Sequence, residues 1–281
     1  MTSWGGLLYR SFYGLTRKPF DNVPDPDFFY ETAATREAFD CLKFSVLQEG
    51  VISLLLGRDG CGKTLLVRKL LKEMANSCEL AHVSGSLNTP EEFLSEILYQ
   101  LEGKEVRDNK DSLLRKIGTR LFDTVSNNKK SLLVFDGVTG IGNDDILVEL
   151  RQLLDLQLDD RTLAAFLIVG NGDLESTISS SIVKERVSVV ASVKPLSLLE
   201  SISYMDHRLQ AAGASKDLFT IEAKAAISAA AEGVPGKINA LADISLFYGF
   251  RNGKKMVDLR AVDMAISRSS LDAVPGSSQE A

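Results

Sequence analysis

The sequence is poor in cysteine and has no long apolar run. Its three cysteines, Cys41, Cys61 and Cys78, do not have the spacing of metal ligands. A sparse, odd number of cysteines is typical of a reducing compartment. No apolar stretch approaches the roughly 20 residues of a membrane-spanning helix, and residues 1–10 lack the basic and apolar regions of a signal peptide. We therefore expect a cytoplasmic protein without membrane insertion.

Positive charge is not in excess either. The 32 Lys and Arg residues are outnumbered by 38 Asp and Glu residues, which leaves a net charge of −6. This balance argues against non-specific coating of nucleic acid as the main role, because phosphate binding needs a positive surface. A local basic pair, Lys129-Lys130, keeps DNA binding open as an alternative. The length of 281 residues, 44% of them apolar, suits one large domain or a large and a small one.

A glycine-rich segment follows the short apolar run 51–56. Its spacing, Gly-x-x-x-x-Gly followed by Lys63 and Thr64, is that of a phosphate-binding P-loop (Walker A) between a strand and a helix. The glycines let main-chain N–H groups converge on phosphate, Lys63 adds a positive charge, and Thr64 offers a hydroxyl to Mg²⁺. The alternative is an ordinary glycine turn. The residues expected to bind the nucleotide are Gly57, Arg58, Asp59, Gly60, Cys61, Gly62, Lys63, Thr64 and Leu65.

Strand-like and helix-like segments alternate up to about residue 195, and only helical patterns follow. The alternation predicts an α/β fold with a parallel sheet between helices. The predicted strands are 51–56, 80–83, 131–135, 163–169 and 187–193. The predicted helices are 35–50, 62–76, 90–101, 111–126, 147–156, 198–212, 220–231, 235–249 and 258–270.

Four parts of the chain are predicted from these patterns. They are an N-terminal arm with the first helix, a P-loop nucleotide-binding domain, a small helical lid domain and a disordered tail. Their predicted limits are 1–45, 46–196, 197–272 and 273–281. The first 35 residues are rich in aromatic residues, Pro and Asp, which is not typical of a helix. We expect an extended arm that is held by its rings to a larger body.

A second acidic group is expected at the end of a buried strand, because a carboxylate there helps to hold Mg²⁺ in P-loop proteins. The apolar residues 132–135 lead directly into Asp136. We assign Asp136, together with Thr64, to the metal, and a nucleoside triphosphate with Mg²⁺ is the expected ligand. The alternative is an Asp that merely starts a turn.

Three further residues are candidates for a catalytic contact with the outermost phosphate. Asn171 follows the fourth predicted strand, where an amide could orient water, although Asn is also a common turn residue. Arg186 precedes the fifth strand and could reach a neighbouring subunit as an arginine finger, although charged residues there are usually solvated. Lys237 lies at a helix start in the lid and could approach the phosphates, or it could simply belong to the turn.

These parts, in this order, resemble an AAA+ ATPase. More narrowly, the chain is similar to the ATPase domain of the general secretion pathway protein A (ExeA) family and its relatives among pilus-biogenesis and transposition ATPases. The similarity extends over about residues 11–268. It is carried by Phe12-Tyr13-Gly14-Leu15, Lys18-Pro19-Phe20, Pro24-Asp25-Pro26, Phe29-Tyr30, Arg36-Glu37-Ala38, the P-loop, Leu133-Val134-Phe135-Asp136, Gly170-Asn171, Arg186 and Gly233-Val234-Pro235 with Ile238-Asn239. The resemblance implies an ATP-driven ring or partner-dependent oligomer, in which the arm and the Arg36 helix help to enclose the adenine.

Two positions depart from the pattern of that family. Gly137 stands where the family usually has a Glu that orients the attacking water, and Gly236 stands where the lid usually has a sensing Arg. A positioned base is worth roughly 10²–10⁴ in rate. Either a carboxylate at Asp144, Asp145 or Glu149 substitutes, or a partner completes the site, or hydrolysis is very slow. We expect ATP to be bound well and hydrolysed poorly.

Three functions are compatible with these features. The first is a slow, oligomerisation-dependent ATPase that positions or remodels a secretion- or pilus-type assembly. The second is an ATP-loaded switch that recruits a partner without turnover. The third is a DNA-binding adaptor of the transposition-regulator type, which the acidic balance disfavours. Secretion members of the family carry a membrane span and a cell-wall-binding domain after the ATPase. Because this chain ends at the lid, we expect it to act through an unidentified protein partner.

Overall fold

The computed structural model describes residues 4–48, 50–158 and 161–269. The chain folds into two compact units. The sheet unit comprises Glu31–Lys194, and the helical unit comprises the segment that ends at Tyr30 together with the segment that starts at Pro195. The N-terminal segment thus belongs to the helical unit, and its predicted packing on the nucleotide site stays a prediction.

A five-stranded parallel sheet, as traced in the described residues, forms the centre of the sheet unit. In chain order the strands are β1 (Ile52–Gly57), β2 (Cys78–Ser86), β3 (Lys130–Thr139), β4 (Gln157–Leu158), β5 (Arg161–Thr162), β6 (Ala164–Gly170) and β7 (Val187–Val193). The sheet has the order β2-β3-β6-β1-β7, and β4 and β5 form a separate hairpin. Strands β1, β3 and β6 lie inside the sheet and are buried along most of their length, which explains their nearly continuous apolar runs. The predicted α/β fold with five parallel strands is confirmed.

Helices make up most of the remaining described chain. They are α1 (Trp4–Tyr13), α2 (Ala33–Val46), α3 (Lys63–Met74), α4 (Pro90–Glu102), α5 (Lys110–Ser126), α6 (Asp144–Leu154), α7 (Gly172–Ser179), α8 (Leu198–Ala211), α9 (Ile221–Ala230), α10 (Pro235–Arg251) and α11 (Leu259–Ile266). Helices α2–α7 belong to the sheet unit. Helix α4 begins as predicted, with a capping box between Thr89 and Glu92. It is joined to the sheet by the stacked rings of Phe93 and Phe135, whose centroids lie 5.2 Å apart.

Some elements of the sheet unit differ from the sequence-based prediction. Strand β3 continues to Thr139, beyond the predicted end at residue 135. Helix α6 begins three residues earlier than predicted, with Asp144 and Asp145 in its first turn, where negative charge suits the helix dipole. The short helix α7 and the β4–β5 hairpin were not predicted, because both are too short to show a periodic pattern.

The helical unit has its own core. Its buried residues include Met205, Ile227, Ile238, Leu246 and Val262 from the C-terminal helices. Helix α8 begins at the predicted residue, after a capping box formed by Ser197 and Glu200. Helix α11 ends at Ile266, four residues before the predicted end. The predicted disordered tail 273–281 lies outside the described residues.

The prediction of an extended N-terminal arm is wrong for residues 4–13, which form helix α1. Tyr9 and Tyr13 are four residues apart, lie on one face of α1 and are both buried. The hydroxyl of Tyr13 donates to the carbonyls of Leu246 and Lys254 at 3.3 and 3.1 Å. The aromatic residues that argued against a helix are therefore the residues that bury one of its faces.

The rest of the segment is largely irregular and is held by its rings, as predicted. Phe20 and Phe28 are buried in the core of the helical unit. The guanidinium of Arg208 lies 4.7 Å from the centre of the Phe28 ring and donates to the carbonyls of Pro19 and Asp21. A cation above a ring and two main-chain hydrogen bonds fix this part of the chain without regular secondary structure.

Candidate functional site

The P-loop connects β1 to α3 through a backbone that requires glycine. Gly60 and Gly62 have φ values of +81° and +92°, a region that costs other residues about 1–2 kcal/mol. Gly62 is also the N-cap of α3 and offers no capping side chain. A Cβ built on Gly62 would meet no atom of the described residues within 4 Å. The first amides of α3 therefore lie at an open helix N-terminus, which suits an anion such as phosphate.

Lys63 lies over the loop. Its ammonium donates to the carbonyls of Gly57 and Arg58 at 2.7 and 3.2 Å, and its Nζ lies 3.4 Å from Oδ1 of Asp59. The side chain is only 11% exposed. These acceptors hold the Lys63 ammonium next to the open helix N-terminus. There the ammonium can donate to phosphate oxygens in place of the carbonyl oxygens.

Gly57 is required for a different reason. It pairs with Val193 of β7, and a Cβ at this position would lie 2.5 Å from the Val193 carbonyl oxygen. The first glycine of the motif thus allows the end of β1 to lie against β7, which fixes where the loop begins.

The carboxyl ends of three neighbouring strands bring the candidate residues to one edge of the sheet. Strand β6 lies between β1 and β3, with Gly170 paired to Leu56 and Val169 paired to Asp136. The P-loop and Asn171 therefore follow the ends of β1 and β6, and Asp136 lies beside them at the last pair of β3 with β6. In α/β proteins, ligands bind outside the carboxyl ends of such strands. The topology thus brings these predicted residues together.

Asp136 has a neighbour that sequence reasoning missed. Its side chain is 9% exposed, and its Oδ2 lies 3.7 Å from Nε2 of His82 on β2. In the sequence, His82 shows only as part of a strand. The register of two strands distant in the chain is what places it beside Asp136.

Gly137, the position that departs from the family pattern, lies in a bulge. Between the pairs Ser84–Asp136 and Ser86–Thr139, β3 has two residues and β2 has one. Gly137 has a φ of +64°, and Gly85 on the opposite strand has a φ of +103°. A Cβ on Gly137 would meet no described atom within 4 Å. The backbone conformation, rather than lack of space, favours glycine here.

Of the three carboxylates considered as substitutes for the missing Glu, one is already engaged. Glu149 is 1% exposed, lies 3.0 Å from Nζ of Lys110 and accepts a hydrogen bond from Gln152. The hydrogen bond with Glu149 raises the pKa of Lys110. Asp144 and Asp145 are exposed in the first turn of α6. The structure thus favours a structural ion pair for Glu149 and leaves the other two accessible.

Asn171 lies at the N-cap of α7, exposed, with its amide nitrogen 3.4 Å from Oδ2 of Asp173. Its location after β6 suits a group that faces a nucleotide, and its cap position suits the alternative of a turn residue. Its contact with phosphate stays a prediction.

Arg186 is held within its own chain. It ends a short 3₁₀ helix before β7, and its Nη2 lies 2.6 Å from Oδ1 of Asp155. The same carboxylate accepts from Nε of Arg151 at 2.9 Å. An arginine finger acting in a neighbouring subunit would have to leave this ion pair, so that role stays a prediction.

Lys237 lies in the first turn of α10 in the helical unit, with its Nζ 3.9 Å from Oε2 of Glu232. Gly233, four residues before Lys237, has a clear structural role. Gly233 has a φ of +70°, accepts a hydrogen bond from the amide of Leu196 at 2.8 Å, and has no room for a Cβ against that residue's carbonyl. The contact of Lys237 with phosphate stays a prediction.

The donor set fits a nucleotide with Mg²⁺. Within the described ranges, no cluster of three or more His, Cys, Asp or Glu side chains forms a metal cage. Mg²⁺ is usually held by one or two protein groups together with substrate phosphates. A half-buried Thr64 and the nearly buried Asp136 supply such groups. Among the described helices, none is both long and apolar enough to cross a bilayer.

Comparison with known proteins finds similarity over most of the chain. Residues 48–178 match the family model described as "AAA domain". The chain is 26% identical over 254 residues to general secretion pathway protein A of Aeromonas hydrophila. That alignment covers 89% of this chain and 46% of the relative, so the chain spans about half of the relative's length. The predicted resemblance is confirmed.

Solved structures confirm the fold. The Aeropyrum pernix ORC2 protein in ADPNP-ADP complexes aligns with a TM-score of 0.66 at 15% identity, over 90% of this chain and 71% of that one. Drosophila ORC bound to DNA aligns with a TM-score of 0.66 at 18% identity, over 96% and 67%. The Thermotoga maritima RuvB Holliday junction branch migration motor aligns with a TM-score of 0.54 at 16% identity, over 83% and 66%. At these identities the likeness concerns the fold alone.

Proposed function

We propose, from the match of residues 48–178 to an AAA domain, that this protein is an ATP-binding switch or slow ATPase. In this proposal it assembles with further copies and positions or remodels a secretion- or pilus-type assembly. The single observation that carries the proposal is the P-loop with Lys63 over an open helix N-terminus. The similarity to general secretion pathway protein A supports the secretion context.

Each part of the loop has a role in the proposed binding. Main-chain amides at the start of α3 donate to the phosphates, as expected for an anion at a helix N-terminus. Lys63 pairs with the outer phosphates, and Thr64 and Asp136 hold Mg²⁺. The metal, when bound, neutralises charge on the phosphates. Adenine as the base is supported only by the resemblance.

Slow hydrolysis is supported by the backbone at Gly137. The position follows Asp136 directly, lies in a bulge and has a left-handed conformation. A Glu would be strained there, so the absence of a base at this position is consistent with the local fold. The switch is compatible with two cases. Either a partner supplies the missing catalytic carboxylate, or turnover is too slow to matter.

Binding is tested by ATP retention with Mg²⁺ for the wild type, Lys63→Ala and the matched control Lys72→Ala. Lys72 is exposed on the same helix. Loss of a charge-assisted contact of about 1.5–3 kcal/mol predicts that Lys63→Ala weakens ATP binding roughly 10- to 100-fold. The control should bind like the wild type. Equal affinity of all three proteins for ATP would show that Lys63 does not contact the nucleotide, and it would overturn the proposal.

Assembly is tested by size-exclusion chromatography with light scattering, with and without Mg·ATP. A nucleotide-dependent increase in mass supports the oligomeric switch, and an unchanged monomer argues against it. To act across a subunit boundary, Arg186 has to leave Asp155 and contact a phosphate of the nucleotide that another copy binds. This ion pair is partly exposed, so the exchange costs little.

The DNA-adaptor alternative is favoured by one observation. Exposed arginines occur at the end of α10 and after it within the helical unit, and they are Arg251, Arg260 and Arg268. The exposed Lys254 lies 3.8 Å from Oδ2 of Asp258, and the exposed Lys255 donates to the carbonyl of Phe12. The pair Lys129-Lys130 offers less positive charge to DNA than expected, because Lys130 donates to the carbonyl of Leu47. A salt-dependent shift of a labelled duplex in the presence of ATP would support this alternative.

A further inference from the structure

His82 lies beside Asp136 on the same face of the sheet. In the pairing of β2 with β3, Ser84 is opposite Asp136, and His82 lies two residues before Ser84. Side chains two residues apart on a strand share a face. The imidazole therefore reaches diagonally across the strand pair, and its Nε2 lies 3.7 Å from Oδ2 of Asp136.

This imidazole nitrogen lacks a hydrogen-bond partner in the described part of the chain, and it is buried. A buried polar atom without a partner costs about 1–3 kcal/mol. The nearly buried carboxylate of Asp136 is an acceptor within reach. A hydrogen bond forms when the two atoms approach to about 3 Å, which requires a small rotation of either side chain.

We propose that His82 is a positioning residue that orients the carboxylate of Asp136 for Mg²⁺. The imidazole donates from Nε2 to Oδ2 and leaves the other carboxylate oxygen for the metal or its water. This inference rests on the proposed function, because it requires that Asp136 hold Mg²⁺ beside the nucleotide.

The local backbone explains why Asp136 needs such support. Asp136 is the last residue of β3 that pairs with β6, and the bulge at Gly137 begins immediately after it. Pairing with β6 therefore ends at Asp136, and pairing with β2 resumes only at Thr139, beyond the bulge. Carboxylates that ligate metals are usually held by further hydrogen bonds, and loss of such a partner typically costs about 10–100-fold in metal affinity.

The test measures the Mg²⁺ concentration that gives half-maximal ATP retention. Compared with the wild type, His82→Ala should need about 10- to 100-fold more Mg²⁺, while retention in EDTA stays unchanged. His82→Gln keeps an N–H donor of similar reach and should restore most of the response. His207 provides the matched control, because it is the second of the two histidines and its Nε2 is also buried without a partner among the described residues. His207→Gln should behave like the wild type.

The outcomes separate this inference from the proposed function. If the wild type depends on Mg²⁺ and a folded His82→Ala responds identically, the inference is overturned and the proposed function stands. If wild-type retention does not depend on Mg²⁺, the metal assignment of Asp136 fails and the inference fails with it. Thermal melts establish that each variant is folded.

A second measurement needs no stable His82→Ala variant. Imidazole ¹⁵N resonances are assigned with His207→Gln, since the chain has two histidines. The His82 resonance should shift when Mg²⁺ is added to the ATP complex. A His82 resonance that does not respond to Mg²⁺ would overturn the inference.

Discussion

Replacing Gly137 by Glu tests the geometry of β3 and the proposed slow hydrolysis in one variant. The glycine follows Asp136, has a φ of +64° and lies opposite Gly85 in a bulge. A side chain there would meet no described atom within 4 Å of its Cβ. The change therefore adds backbone strain without a clash.

The size of the strain follows from the conformation. A left-handed backbone costs a residue other than glycine about 1–2 kcal/mol. For a domain of 150–250 residues, each 1 kcal/mol lowers the melting temperature by about 2–4 °C. Gly137→Glu should thus melt roughly 2–8 °C below the wild type. Gly137→Gln should show the same decrease, because it has the same strain and nearly the same shape.

The two variants should differ in activity. A carboxylate that orients water contributes about 10²–10⁴ in rate, and glutamine cannot act as a base. We expect phosphate release to be very slow in the wild type and in Gly137→Gln, and faster in Gly137→Glu. Differential scanning fluorimetry and steady-state phosphate release measure the two effects separately.

Three results would contradict this reasoning. Brisk wild-type turnover would show that the missing Glu does not limit hydrolysis. Equal rates for the Glu and Gln variants would show that a base at this position does not reach the attacking water. Unchanged melting temperatures in both variants would show that the backbone at Gly137 is not left-handed.

Two other predictions concern the P-loop. Gly57→Ala should lower stability by about 1–3 kcal/mol, because the new Cβ would meet the carbonyl oxygen of Val193; a melt equal to the wild type would contradict the close approach of β1 and β7. Cys61 should react slowly with Ellman's reagent near pH 8, because it is buried and burial raises the pKa of its thiol, which leaves little thiolate. The exposed Cys41 should react first, and rapid labelling of Cys61 in the folded protein would refute this.

Local patterns in the sequence determined the fold class and the centre of the candidate site. The P-loop is read from one short segment, because its chemistry depends on glycines, a lysine and a threonine at fixed spacing. The helix starts at Thr89 and Ser197 are read from single capping boxes. Buried parallel strands are read from their apolar runs. Each of these signals depends on residues that are near one another in the chain.

Only the tertiary structure decided the features that depend on distant residues. Helix α1 forms because Tyr9 and Tyr13 are buried in the helical unit, so packing overrides a composition that disfavours a helix. The register of β2 with β3 produces the bulge at Gly137 and brings His82 to Asp136. Pairing between strands about 50 residues apart is set by the balance of core packing and main-chain hydrogen bonds over the whole sheet. No local spacing contains that information.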